Sequence, residues 1–286
     1  MRKIIKGIGL LTVAFMLIAC SNQETANTAE STENSTIVVG SVGSDAEIWT
    51  YIAESEAAKE AGLTIEVKEI TGGPATNQAT VDGDVDANAF QSIGYLESFN
   101  EESPEQLVPI AATYVEPMGI YSDKFTSIDE IADGSVVALA DNPSNTARGL
   151  RLLETAGLIK LKDDFDAGTG TTSDVIENPK NLEFTLIDDL TGPRVLPDVD
   201  LVLISNTIAL EGGLNVLQDS IFHEEADTAV RETVNVLAVK ESRKDEAALK
   251  KLGELYHDPE IQSYIEEKFE GTKVEVTTPI VEIWGN

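Results

Sequence analysis

The chain has 286 residues, with 51 Asp or Glu against 20 Lys or Arg and a formal net charge of −31. A field of that sign repels nucleic acid and anionic lipid headgroups, so neither is expected as a partner, and it fits a solvated, soluble surface. Two histidines and one cysteine are too few for a zinc or manganese site or a disulfide framework, so no metal or cofactor is expected.

The N-terminus is built for export. Arg2, Lys3 and Lys6 form a positive start, and Ile8 to Ile18 is apolar apart from small or mildly polar breaks such as Gly9 and Thr12. Leu17-Ile18-Ala19-Cys20 then places a small residue before a cysteine, the pattern at which a bacterial lipoprotein precursor is cleaved. The apolar stretch is too short to span a bilayer, which takes roughly 20 residues. Residues 1–19 therefore read as a signal peptide, and Cys20 as the lipidated first residue of a protein anchored on the outer face of the cell membrane. Residues 20–36 follow as a tether. After the cysteine, Ala is their only apolar residue type, and such a stretch cannot offset its ordering entropy.

The body, Ile37 to Asn286, has about 250 residues, long for one core and comfortable for two lobes. Ile37 to Gly40 is a β-branched start, followed by a helical stretch from Ala46 to Ala61. Leu63 to Ile70 alternates apolar and polar residues like a half-buried strand, Gly72-Gly73-Pro74 breaks it, and a short helix covers Ala75 to Val81. Further strands are expected at 108–114, 119–121, 135–140, 182–187, 199–204 and 234–239. Helices are expected at 144–156, 206–212, 246–256 and 259–268. Strands separated by helices predict an α/β class with mostly parallel sheets flanked by helices.

Most candidates for chemistry fail. Asp82-Gly83-Asp84-Val85-Asp86 starts like a calcium loop, but Ala87 stands where glycine is needed and Ile93 where the final Glu belongs. There is no nucleophile elbow, phosphate loop or dinucleotide fingerprint, so no enzymatic activity is expected. One constellation stands out. Asp141-Asn142-Pro143-Ser144-Asn145-Thr146-Ala147-Arg148 follows an apolar strand and opens a helix, with Asn142 or Ser144 as cap and Pro143 where its missing N–H costs least. Such a helix start favours an anion, and Arg148 one turn in can add a bidentate grip on a carboxylate; it could equally pair with a surface acid.

At these residues the chain resembles the methionine-binding lipoproteins of bacterial ABC importers, the NlpA/MetQ type. The matching stretches run in order along the body: Asp86 to Leu96, Glu116 to Ser122, Asn142 to Arg148, Ala156 to Leu161, Glu177 to Leu182 and Asp198 to Thr207. The resemblance implies a two-lobed, periplasmic-binding-protein-like fold, each lobe a mostly parallel sheet with helices, joined by two crossover strands. Lobe one would hold 37–116 and 237–286, and lobe two 117–236. It implies a receptor that captures methionine or a close analogue and delivers it to the importer's permease and ATPase, touching the membrane only through its lipid. Carried over by position, Phe90 and Tyr95 would wall the ligand's side chain, Arg148 would hold its α-carboxylate with help from Asn145, and Asn206 would bind its amino end. Taken alone, Phe90 and Tyr95 would read as core residues. Ser92, Ser205 and Ile208 depart from the family pattern and put the identity of the ligand in question. Another amino acid, a short peptide or a small organic solute on the same scaffold is the alternative, and an adhesive or chaperone-like surface lipoprotein a further one.

If Cys20 carries the lipid, Cys20→Ala releases the protein from membranes without unfolding it, as fractionation and a melting curve would report. Retention at the membrane would contradict the anchor.

Overall fold

The computed structural model describes residues 36–225 and 230–285; the signal segment, Cys20 and the tether up to residue 35 lie outside the described residues. The described residues group as one compact unit. Thr36, expected at the end of the tether, is the first residue of a strand.

The strands in chain order are β1 (Thr36–Ser41), β2 (Thr64–Glu69), β3 (Ala87–Ser92), β4 (Leu107–Ala112), β5 (Tyr114–Val115), β6 (Met118–Tyr121) and β7 (Val136–Ala140). They continue as β8 (Lys160–Leu161), β9 (Val175–Glu177), β10 (Glu183–Ile187), β11 (Leu201–Ser205), β12 (Phe222–His223), β13 (Asn235–Lys240) and β14 (Val274–Glu275). One five-stranded sheet has the order β2-β1-β3-β13-β4, and a second has the order β10-β7-β11-β6-β12. Two short ladders, β14 with β5 and β8 with β9, complete the pairing among the described residues.

The two sheets repeat one plan, that of two α/β lobes. In each, three parallel strands are followed by two antiparallel pairings. Four of the five strands in each sheet therefore run the same way, mostly parallel as expected, with β13 or β6 running against the rest. The antiparallel pairings belong to β13 and β6 and their outer neighbours, so helix-linked strands account only for the parallel half of each sheet. β13 lies wholly in the first sheet, Asn235 opposite Ser92, so Asn235 and Val236 belong there rather than at the end of lobe two.

Local chemistry explains where the elements stop. The long helix expected from Ala46 is two, Gly43–Glu54 and Glu56–Glu60, because Ser55 leaves helical geometry (ψ 157°). Its Oγ accepts from the Ala58 N–H at 3.1 Å and donates to the Ile52 carbonyl at 2.7 Å, ending one helix and capping the next. The helix Pro143–Thr155 is capped by Asn142, whose Oδ1 accepts from the Asn145 N–H at 2.9 Å. Its inner face, with Ala147, Leu150 and Leu153, is buried at 0% exposure. A helix over Ile93–Glu102, not expected from the sequence, starts at Ser92, whose Oγ accepts from the Tyr95 N–H. The first sheet packs on Ile48, Trp49, Ile52, Leu249 and Leu252. The second packs on Leu150, Leu153, Leu158 and Leu182.

Glu116 and Pro117, between β5 and β6, carry the chain from one sheet to the other, and a buried ion cluster surrounds them. Lys273 Nζ donates to Asp45 Oδ1 (3.0 Å), Glu116 Oε2 (3.2 Å), Thr207 Oγ1 (2.9 Å) and Tyr114 Oη (3.0 Å). The side chains of Lys273, Asp45 and Glu116 are only 0, 2 and 5% exposed. Burial pushes both carboxyls up, and the Lys273 ammonium pulls both down; Glu116 ends below its ordinary value and Asp45 above it. Taking the cation away leaves two buried carboxylates without their cation, a loss of about 3–5 kcal/mol for a broken buried pair. Lys273→Met is therefore expected to lose that much stability at pH 7 in urea melts. Both carboxyls would then have folded-state pKa values above their unfolded ones, so the folded state binds protons more tightly and the variant regains stability as pH falls towards 5. A variant as stable as the parent at pH 7 would contradict this account.

Candidate functional site

A cavity of about 320 Å³ lies between the sheets, at the small end of the range for small-molecule sites. The residues that follow the parallel strands line it: Val42 after β1, Asp141 after β7, Asp188 after β10, with Ser92 and Ser205 ending β3 and β11. That is where ligands sit in open α/β sheets.

The apolar wall comes from the segment after β2 and the end of β3. Phe90 and Tyr95 meet edge to face, ring centroids 5.9 Å apart at 77°. Gly72 turns the chain at φ 95°, and Gly73 lets it pass tightly. A Cβ at 73 would stand 2.3 Å from Tyr95 Oη and 2.9 Å from Phe90, so only glycine leaves both rings in place. Behind this wall Asn77, Asn88 and Gln91 satisfy one another through four side-chain hydrogen bonds of 2.6–3.1 Å. Asn88 and Gln91 of the Asp86–Leu96 stretch thus stiffen the wall.

The charged side belongs to the helix Pro143–Thr155. Arg148 Nε donates to Glu224 Oε1 and Oε2 at 3.0 and 3.1 Å, and Nη2 to Glu224 Oε2 and to the Glu116 carbonyl, both at 2.6 Å. Burial works against the guanidinium's charge, but Glu224 and Glu116 more than offset it, and its pKa lies above the ordinary value. Nη1 makes no hydrogen bond among the described residues and is the nitrogen left for another anion. Glu224 is itself fixed by the Met118 N–H at 2.8 Å. At the helix start, Asn142 and Asn145 donate their amides to Asp189 Oδ2 at 2.8 and 3.2 Å. A carboxylate of the protein therefore already lies beside that helix end.

Phe90, Tyr95, Asn145 and Arg148 all line the cavity. Asn206 does not: it is fully buried, and its Nδ2 donates to Glu116 Oε2 (3.1 Å) and Thr272 Oγ1 (3.2 Å). Asn206 orients Glu116, a residue of the cavity lining whose carboxylate is held ionised by Lys273, Asn206 and Arg148 against its burial. Glu116 and Asn235 are among the lining residues that were not read from the sequence as site residues. Asn235 is 5% exposed, and its side-chain amide has no hydrogen bond among the described residues. Its signal was there, as the lone polar residue between Val234 and Val236-Leu237-Ala238-Val239. Nothing in the sequence showed that Glu224 would reach Arg148 from 76 positions away.

The arrangement offers an anion-binding guanidinium, a carboxylate and an amide close to one another, and an aromatic wall. Comparison with known proteins agrees with a ligand-binding scaffold. The chain is 35% identical over 268 residues to a probable D-methionine-binding lipoprotein MetQ of Pasteurella multocida, covering 93% of this chain and 95% of that one. It is 34% identical over 281 residues to the methionine-binding lipoprotein MetQ of Bacillus subtilis, covering 97% of this chain and all of that one. Among solved structures, a nutrient binding protein from Burkholderia cenocepacia bound to methionine superposes with a TM-score of 0.80 at 36% identity, over 84% of this chain and 99% of that one. The profile of the NlpA lipoprotein family matches residues 37–277, and the chain belongs to that family.

Proposed function

We propose that the protein is a lipid-anchored, extracytoplasmic receptor that captures methionine or a close amino-acid analogue and delivers it to the permease and ATPase of an ABC importer. The observation that carries this reading is Arg148, fixed by Glu224 and the Glu116 carbonyl, with Nη1 free among the described residues in a cavity that also holds Glu116 and Asn235. A zwitterion needs that set. Its carboxylate pairs with the guanidinium, and its ammonium with the Glu116 carboxylate and the Asn235 amide oxygen. Phe90 and Tyr95 take the side chain, and an aromatic wall suits a thioether. Asn145 supports from the rim through Asp189. The names of the relatives and the methionine-bound neighbour support the choice of ligand class, and the lipoprotein names support the anchor. The role is binding and handover, with no reaction of its own. The two lobes, 37–116 with 235–286 and 117–234, close on the ligand about Glu116-Pro117 and the return into β13.

Arg148→Ala removes one member of a buried hydrogen-bonded charge pair, which costs on the order of 2–5 kcal/mol of binding. That is roughly thirty- to several-thousandfold in affinity. Alanine is the better helix former, so the helix is expected to persist. Calorimetric titration with methionine and a panel of amino acids, beside the parent, checks this. Equal affinity for the variant would overturn the assignment of Arg148.

A further inference from the structure

The aromatic and charged walls of the cavity are carried by two helices that touch. The helix Ile93–Glu102 carries Tyr95, and the helix Pro143–Thr155 carries Arg148. They meet at Gly94, one residue before Tyr95, and Ser144, one turn before Arg148. Both residues are buried, Ser144 to 6% exposure. A Cβ at position 94 would stand 2.9 Å from Ser144 Oγ, 3.2 Å from the Glu232 carbonyl oxygen and 3.3 Å from Glu232 Cβ. Gly94 is not among the residues with positive φ, so the backbone here does not call for glycine. Glycine is also a poor helix former, and what this position uses is its missing side chain. The first helix is fastened on both sides of Gly94 to the segment that returns into β13. The Ile93 N–H donates to the Val234 carbonyl at 2.9 Å, and Glu97 accepts from both terminal nitrogens of Arg231 at 3.0 and 2.7 Å. A side chain at 94 therefore has to be accommodated by moving the Ser144 helix, and Arg148 moves with it.

We propose that Gly94 is a specificity-determining residue: by letting the two helices touch, it sets the gap between the aromatic wall and the Arg148 guanidinium, and with it the length of ligand that reaches both. Gly94 does not line the cavity, so it acts through position alone. This rests on the reading above, in which the α-carboxylate lies at Arg148 and the side chain at Phe90 and Tyr95. A ligand that bridges two fixed walls is sensitive to one methylene, which in an apolar pocket changes binding by about 10- to 200-fold. Methionine and its S-ethyl homologue, ethionine, differ by that one group. Widening the gap at 94 shifts the preference towards the longer of the two.

The test is calorimetric titration of the full-length protein and of Gly94→Val with methionine and ethionine, in the enantiomer the parent binds more tightly. The ratio of methionine to ethionine affinity is expected to fall in the variant by about tenfold or more, the lower end of what one methylene is worth. A side chain that merely weakened the fold would lower both affinities together and leave the ratio alone. Should the valine variant fail to fold, Gly94→Ala is read in the same way, with a smaller fall of about threefold, since it adds a single methyl group. A ratio that stays at the parent's value in the folded variant overturns the spacing role and leaves the amino-acid receptor standing. A parent that binds neither ligand in either enantiomer overturns both.

Discussion

Glu116 does two jobs with two ends of one residue, and most of the site depends on it. Its carboxylate accepts from Lys273 of the C-terminal segment and from Asn206 and Thr207 at the start of the helix after β11. Its carbonyl accepts from Arg148. The residue at the passage between the sheets is thereby tied to both lobes. An ionised carboxylate in such a place is tolerated only when its lone pairs are met, and four donors meet them here. The same bonds set the depth of the cavity, hold the guanidinium in one orientation and fix the passage about which the lobes would move.

Arg148 is correspondingly a constrained cation. Glu224 and the Glu116 carbonyl use Nε and Nη2, which orients the planar fork and leaves one edge. A guanidinium held this way loses little further freedom on taking a carboxylate, which favours affinity through preorganisation. The rim has the opposite character. Ser92 uses its hydroxyl to cap a helix while lining the cavity, and Ser205 and Ile208 line it too.

Much of the architecture was legible in the sequence because it rests on local rules. The apolar runs around Val137 and Leu203, the alternation from Thr64 and the Asn142-Pro143 cap each carry their own reason. Ser55 shows where that fails: a serine inside a helical pattern became a break because its hydroxyl found the Ala58 N–H. The one reversed strand in each sheet was not legible, because β6 and β13 look like any other apolar strand. For the site, the resemblance brought Phe90, Tyr95 and Arg148 to notice, and all three line the cavity. Asn206 does not line the cavity, and its amide donates to Glu116 instead. Asn235 was overlooked: its signal was one polar residue in an apolar run, and only the pairing of β13 shows its place opposite Ser92. The matching of buried charges, Lys273 with Asp45 and Glu116 above all, joins segments up to 228 positions apart and has no local signature.

The central claim is that the deep end of the cavity reads a zwitterion. A crystal structure of the protein with the small molecule it retains on purification tests this most directly. The account predicts a carboxylate within hydrogen-bond distance of Arg148 Nη1 and an ammonium against Glu116 and Asn235, with the side chain between Phe90 and Tyr95. A ligand lying the other way round, or one with no carboxylate at Arg148, would contradict it.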